Sequence, residues 1–236
     1  MLFLHETHRV RGPQADDFEA VWRGQLDVVA KGDDARVLWF FHQAHGTGPS
    51  YTVVTVTALA DGAAWERHVR RLEDGDLRSW AREIDAMRHH SSSKLLAPVA
   101  WSALQEVELT SVPVDGSERA LALYMEDTVL PYAGKLDAYL EAASTLYARD
   151  TIGKRMAEGT SLLDLRGCFR TLTGGHAGRE VILWQRVLRP ELLTPLLTRE
   201  VPAERRGPGT WMNDALAFRD QWESRLLRTA AWSPLD

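Results

Sequence analysis

The 236-residue chain carries a formal charge of −5 and a pI near 5.9, which excludes the basic face that nucleic-acid binding requires. Its one cysteine, Cys168, excludes an intrachain disulfide framework and fits a reducing compartment; in its strand-like setting the thiol reads as a buried structural group. No run approaches the roughly 18 apolar residues of a membrane span, and MLFLHETHRVR turns polar too soon for a signal peptide. A soluble, cytoplasmic protein is therefore expected, with neither nucleic acid nor membrane as a partner.

Along the chain, Phe3 to Arg11 alternates and closes on Gly12-Pro13, a strand and its turn. Asp16 or Asp17 is placed to cap a helix running to about Ala30, with Phe18, Val21, Trp22, Leu26 and Val29 at helical spacing. Arg36 to His45 and Tyr51 to Leu59 are β-rich runs joined by GTGPS, a hairpin. Ala63 to Met87 reads as helix with a break near Gly75. A Ser-rich loop follows His89-His90, and Leu95 to Leu104 is a closing strand. After a connector the order recurs: strands at Leu121 to Leu130, Leu162 to Leu172, Glu180 to Val187 and Leu226 to Trp232, with helices at Lys135 to Ile152 and Pro190 to Trp222.

The recurrence is a repeat. KLLAPVAWSAL from Lys94 and RLLRTAAWSPL from Arg225 share basic-Leu-Leu and Ala-Trp-Ser-x-Leu, which pairs Trp101 with Trp232. FHQAHGTGPSYTVVTV from Phe41 lies without gaps on FRTLTGGHAGREVILW from Phe169, superposing Gly46 on Gly174. LHETHRVRGPQADDFEAVW from Leu4 lies on MEDTVLPYAGKLDAYLEAA from Met125. The reading is two ferredoxin-like βαββαβ units, residues 1–104 and 120–236, joined by a connector at 105–119 and packed sheet to sheet as an α+β barrel. A cavity between the sheets is the natural ligand site. One chain then completes the barrel, and a homodimer through helices or strand edges stays open.

The Gly-bounded hairpin, VTVTALADGAAW, YAGKLDAYLEA, EVILWQR and above all LLRTAAWSPL resemble the NIPSNAP group of the dimeric α/β-barrel superfamily. The resemblance implies a range of chemistries: cofactor-independent monooxygenases, polyketide cyclases, lactone isomerases and haem proteins. The family's first strand alternates Glu-x-Arg-x-Tyr. The corresponding positions here are Leu4, Glu6 and His8, and in the second copy Met125, Asp127 and Val129; none of the three residue types is retained at its own position.

With that register Glu6 and His8 share the cavity face, as a carboxylate–imidazole pair able to move a proton. Asp127 reaches in from the equivalent strand. Of the other strand histidines, His5 points away from His8, and His42 and His45 point to opposite faces, with His42 retained as a candidate. Phe41, Trp39, Trp184 and Arg170 on inner strands are the expected substrate contacts, with simple core packing the competing reading for the two Trp residues. No HxH, HExxH or CxxC spacing is present, so no metal or other cofactor is called for, although the fold would permit haem or a metal ion. The expectation is a small-molecule enzyme of secondary or catabolic metabolism. It would be of cyclase, isomerase or cofactor-independent monooxygenase type, acting on an apolar carbonyl-bearing or aromatic substrate. The alternative is a non-catalytic small-ligand or haem-binding protein using the same cavity.

Overall fold

Two four-stranded antiparallel sheets join edge to edge into one closed barrel. The computed structural model describes all 236 residues. Its strands are β1 (Leu2–Val10), β2 (Ala35–Gln43), β3 (Thr52–Leu59), β4 (Arg88–Pro98), β5 (Leu123–Leu130), β6 (Leu163–Thr173), β7 (Val181–Val187) and β8 (Gln221–Thr229). They close in the order β1-β3-β2-β8-β5-β7-β6-β4. Each half keeps the split-βαβ order, and the seams are the equivalent pairings β2 with β8 and β4 with β6. Gly46 and Gly174, superposed by the repeat, sit in the two hairpins at φ 81° and 78°. A side chain at Gly174 would meet the Ser93 carbonyl at 2.2 Å, so both backbone angle and space require glycine there.

Helices cover the outer faces. The first half carries α1 (Ala15–Arg23), α2 (Leu26–Val29), α3 (Gly62–Glu73) and α4 (Arg78–Ala86). Phe18, Trp22, Trp80 and Ile84 there pack on the outward residues Val37, Phe40 and Val53. The second half carries α5 (Leu136–Ala142), which runs through a π-helical stretch at Ala143–Gly153 into α6 (Lys154–Ala157). Short α7 (Leu193–Thr198) and α8 (Trp211–Asp214) follow. No helix is long and apolar enough to cross a membrane.

Several boundaries differ from the sequence reading. The helix expected over Pro190 to Trp222 breaks up, because Pro195, Pro202, Gly207, Pro208 and Gly209 interrupt it, and Trp222 falls on β8. The Ser-rich loop is strand: Ser91, Ser92 and Ser93 pair with His8, Thr7 and Glu6, so β4 runs alongside almost the whole of β1. α1 begins at Ala15 with no side-chain cap, leaving Asp16 and Asp17 in its first turn, where they suit the helix dipole.

The duplicated Ala-Trp-Ser-x-Leu motif lies just beyond β4 and β8 and works as a pair of clasps between the halves. Ser233 Oγ accepts from the Phe40 amide at 3.2 Å and Ser102 Oγ from the Cys168 amide at 3.0 Å. Phe40 O accepts from the Ala230 amide, as Cys168 O does from Val99. Trp232, of the second half, is buried in the helix layer of the first, and its Nε1 donates to Glu19 Oε1 at 2.6 Å. Trp101, of the first half, packs against the helix layer of the second.

Candidate functional site: the polar mouth of the barrel

The barrel interior has two ends. One is filled by an aromatic plug of Phe3, Trp39, Phe41, Tyr124, Phe169 and Trp184, closed over by Leu109 and Val112 of the connector. Phe169 and Trp184 have ring centroids 4.4 Å apart, and Trp39 lies 5.5 Å from Trp184. The other end is a cavity of about 590 Å³ lined by 19 residues, of which two are hydrophobic. That volume lies in the range of small-molecule sites.

His5 and Glu126 line the cavity and are almost fully buried. His5 Nε2 donates to Glu126 Oε2 at 2.8 Å, across the barrel from β1 to β5. Trp184 Nε1 donates to the same oxygen at 3.0 Å, and its ring stacks on the imidazole. Arg225 on β8 grips Oε1 with Nε at 2.8 Å and Nη2 at 2.6 Å. Burial alone would raise the Glu126 pKa. The Arg225 charge and the donors from His5 and Trp184 outweigh it, so the carboxyl stays ionised, well below the usual carboxylate range. Across the cavity Lys94 on β4, the repeat equivalent of Arg225, lies 2.8 Å from Glu180. Glu180 also accepts from Thr171 Oγ1 at 2.8 Å. Burial opposes its charge too, yet Lys94 and Thr171 bring its pKa below the ordinary value.

The expected cavity residues are placed otherwise. Glu6 and His8 face the helices, because β1 turns Phe3, His5 and Thr7 inward, one register step from the family alignment. His8 is fully buried against Phe18 and Trp22 of α1. Its Nδ1 accepts from Arg88 Nη1 at 2.8 Å and its Nε2 donates to Thr55 Oγ1 at 3.1 Å. Burial and the Arg88 charge hold it neutral, with a pKa of about 3. Asp127 pairs across the ladder with the outward Leu183 and accepts from Gln185 Nε2 at 2.9 Å. His42 also points outward, to Glu19 on α1 at 2.8 Å. Arg170 is exposed on the outer face of β6. Trp39 and Phe41 are inside but belong to the plug. Trp184 alone of the expected contacts touches the site, through Glu126 and His5.

The residues that form the site were partly signalled by the repeat: the alignment that pairs Leu4 with Met125 also sets His5 on Glu126, and the closing motif sets Lys94 on Arg225. No group of three or more His, Cys, Asp or Glu side chains is arranged to hold a metal ion. Haem requires an axial His in a roomy apolar pocket, and the polar lining here, with His5 Nε2 engaged by Glu126, does not fit it.

No protein-family model and no curated protein matches this chain. Solved structures match over its whole length. A candidate monooxygenase from Lactobacillus acidophilus NCFM is 8% identical with a TM-score of 0.59, covering 98% of this chain and 96% of its own. An anthrone oxidase-like protein is 9% identical with a TM-score of 0.58, covering 97% and 91%. A NIPSNAP domain protein from Burkholderia xenovorans matches over one repeat's length: 22% identical, TM-score 0.37, covering 43% of this chain and 97% of its own. The closed eight-stranded barrel, built from two βαββαβ halves on one polypeptide, thus shares its fold with solved structures that match it from end to end.

Proposed function

We propose that the chain is a small-molecule enzyme whose substrate sits in the polar mouth of the barrel and exchanges a proton with His5. The observation that carries this reading is the His5–Glu126 pair at the cavity wall. Because an ionised Glu126 accepts the Nε2 proton, the neutral imidazole presents a lone pair at Nδ1, the atom suited to act as base. Deprotonation of a substrate next to a carbonyl forms an enolate or phenolate while Nδ1 gains the proton, and the imidazolium so formed is stabilised by Glu126. Lys94 and Arg225 place positive charge at equivalent points of the cavity, where the developing oxyanion would benefit. Isomerisation, cyclisation and cofactor-free oxygenation can all begin with that step.

Both cations already have carboxylate partners and the wall is rich in hydroxyl and amide groups, so the fitting substrate is neutral and polar. A hydroxylated aromatic ketone fits this lining better than the apolar molecule suggested by the sequence. The test is solvent deuterium incorporation into a panel of enolisable hydroxyaryl ketones, followed by NMR. Wild type should accelerate exchange for at least one member, and His5→Gln should lower that rate by about 100-fold or more. Full exchange by His5→Gln would refute the assignment. Saturable binding without exchange would make the same cavity that of a non-catalytic carrier.

A further inference from the structure

A second, smaller cavity of about 100 Å³ lies outside the barrel wall, between β1 and the helices α3 and α4. It is separate from the mouth and shares no residue with it. Its lining is mixed: Val29, Leu72 and Ile84 are apolar, while Glu6, His68 and Arg88 are not. Three nitrogens of its lining side chains, Trp22 Nε1, Trp80 Nε1 and His68 Nδ1, are buried without any hydrogen-bond partner in the protein. Indole N–H groups can only donate, and a buried donor left unpaired costs free energy, so such groups cluster where something accepts from them. Trp22 and Trp80 are in edge contact at 4.8 Å, which brings their rings to one wall.

We infer that this cavity is a binding site for a short-chain monocarboxylic acid of acetate or propionate size. Two indole donors and the Arg88 guanidinium suit the carboxylate, and the aliphatic wall suits a one- or two-carbon tail. The charged or titratable groups facing the cavity are Glu6 on β1, Arg88 on β4 and His68 on α3. Burial raises the Glu6 pKa against the pull of Arg88, which lessens the repulsion an entering anion would meet. Whatever charge Glu6 retains opposes the ligand's, so its removal should strengthen binding.

The experiment is calorimetric titration of the full chain with sodium acetate and sodium propionate, with sodium chloride and sodium benzoate as controls. One saturable site is expected for acetate or propionate and none for chloride or for benzoate, which is too large. Trp80→Phe should weaken binding about tenfold, and the isosteric Glu6→Gln should tighten it several-fold at pH 7. His5→Gln, in the barrel mouth, should leave it unchanged. The inference is overturned if neither acid saturates, if Glu6→Gln fails to tighten binding, or if His5→Gln abolishes it, which would place the anion in the mouth. Should Trp80→Phe fail to fold, the Glu6→Gln comparison decides alone.

Discussion

His5 and Glu126 occupy the same position in the two repeats, and they bond to each other. The 121-residue shift that superposes the first strands brings one onto the other, and the 2.8 Å contact therefore crosses the pseudo-twofold relating the halves. A symmetric ancestor with two like residues there would have faced histidine with histidine or carboxylate with carboxylate. Opposite residue types at the two positions make the contact across the axis a hydrogen bond between imidazole and carboxylate.

Breaking the pair should cost stability as well as any activity. Glu126→Ala leaves Arg225 and His5 without their buried acceptor, and removing one partner of a buried pair typically costs about 3–5 kcal/mol. Chemical denaturation should show a loss of that size. A change under about 1 kcal/mol would mean that water already reaches the carboxylate.

Acid should destabilise the protein through the imidazoles outside the barrel. Burial, with Arg88 beside it, holds His8 to a pKa of about 3; burial, with Arg71 nearby, holds His68 to about 4. In the unfolded chain both titrate near 6.5. The unfolded state therefore binds more protons throughout this window. Stability is fully present above about pH 6.5 and falls as pH drops toward the folded values, by about 2 kcal/mol per histidine at pH 5. Glu126, whose folded pKa is depressed, retains its contribution at pH 5 and loses it only in stronger acid. Thermal melts at pH 7 and pH 5 check this, and His8→Gln should flatten the dependence.

The clasps should matter unequally. Trp232 is fully buried and Trp101 only half-buried, so Trp232→Ala should cost about 3–5 kcal/mol and Trp101→Ala distinctly less. Ser102→Ala and Ser233→Ala each remove an acceptor from a buried amide, at about 1–3 kcal/mol. Their double variant should be additive, because the clasps sit at different seams. Equal losses at the two tryptophans would show that the pseudo-symmetry extends to packing energy.

Residues 1–104 alone should fail to give a stable monomer. Phe3, Leu38, Trp39, Phe41, Val54, Val56 and Leu96 would lose their cover from the second half, each burial being worth about 1.5–3 kcal/mol. That sum rivals the whole stability of a domain, about 5–15 kcal/mol. Dimerisation of the fragment, pairing its open β2 and β4 edges, is the expected outcome in sedimentation. A stable folded monomer would contradict it.

The order of strands, the duplication and the closure of two sheets are legible in the sequence, because alternation, turn chemistry and the Ala-Trp-Ser-x-Leu motif are local signals repeated at nearly constant spacing. The face of each strand is not. β1 is buried on both sides, by the plug and mouth within and by α1, α3 and α4 without, and it carries polar residues on each side: His5 and Thr7 inward, Glu6 and His8 outward. Hydropathy cannot tell two buried faces apart, and a one-residue slip exchanges them. Only the register of β1 against β3 and β4 fixes which imidazole meets the cavity. The local sequence likewise carries no sign that Lys94 on β4 and its counterpart Arg225 on β8 each find a carboxylate, Glu180 just before β7 and Glu126 on β5. Arg225 meets Glu126 through the register of β8 against β5, and Lys94 meets Glu180 across the β4–β6 seam, and both are long-range pairings that no local pattern encodes.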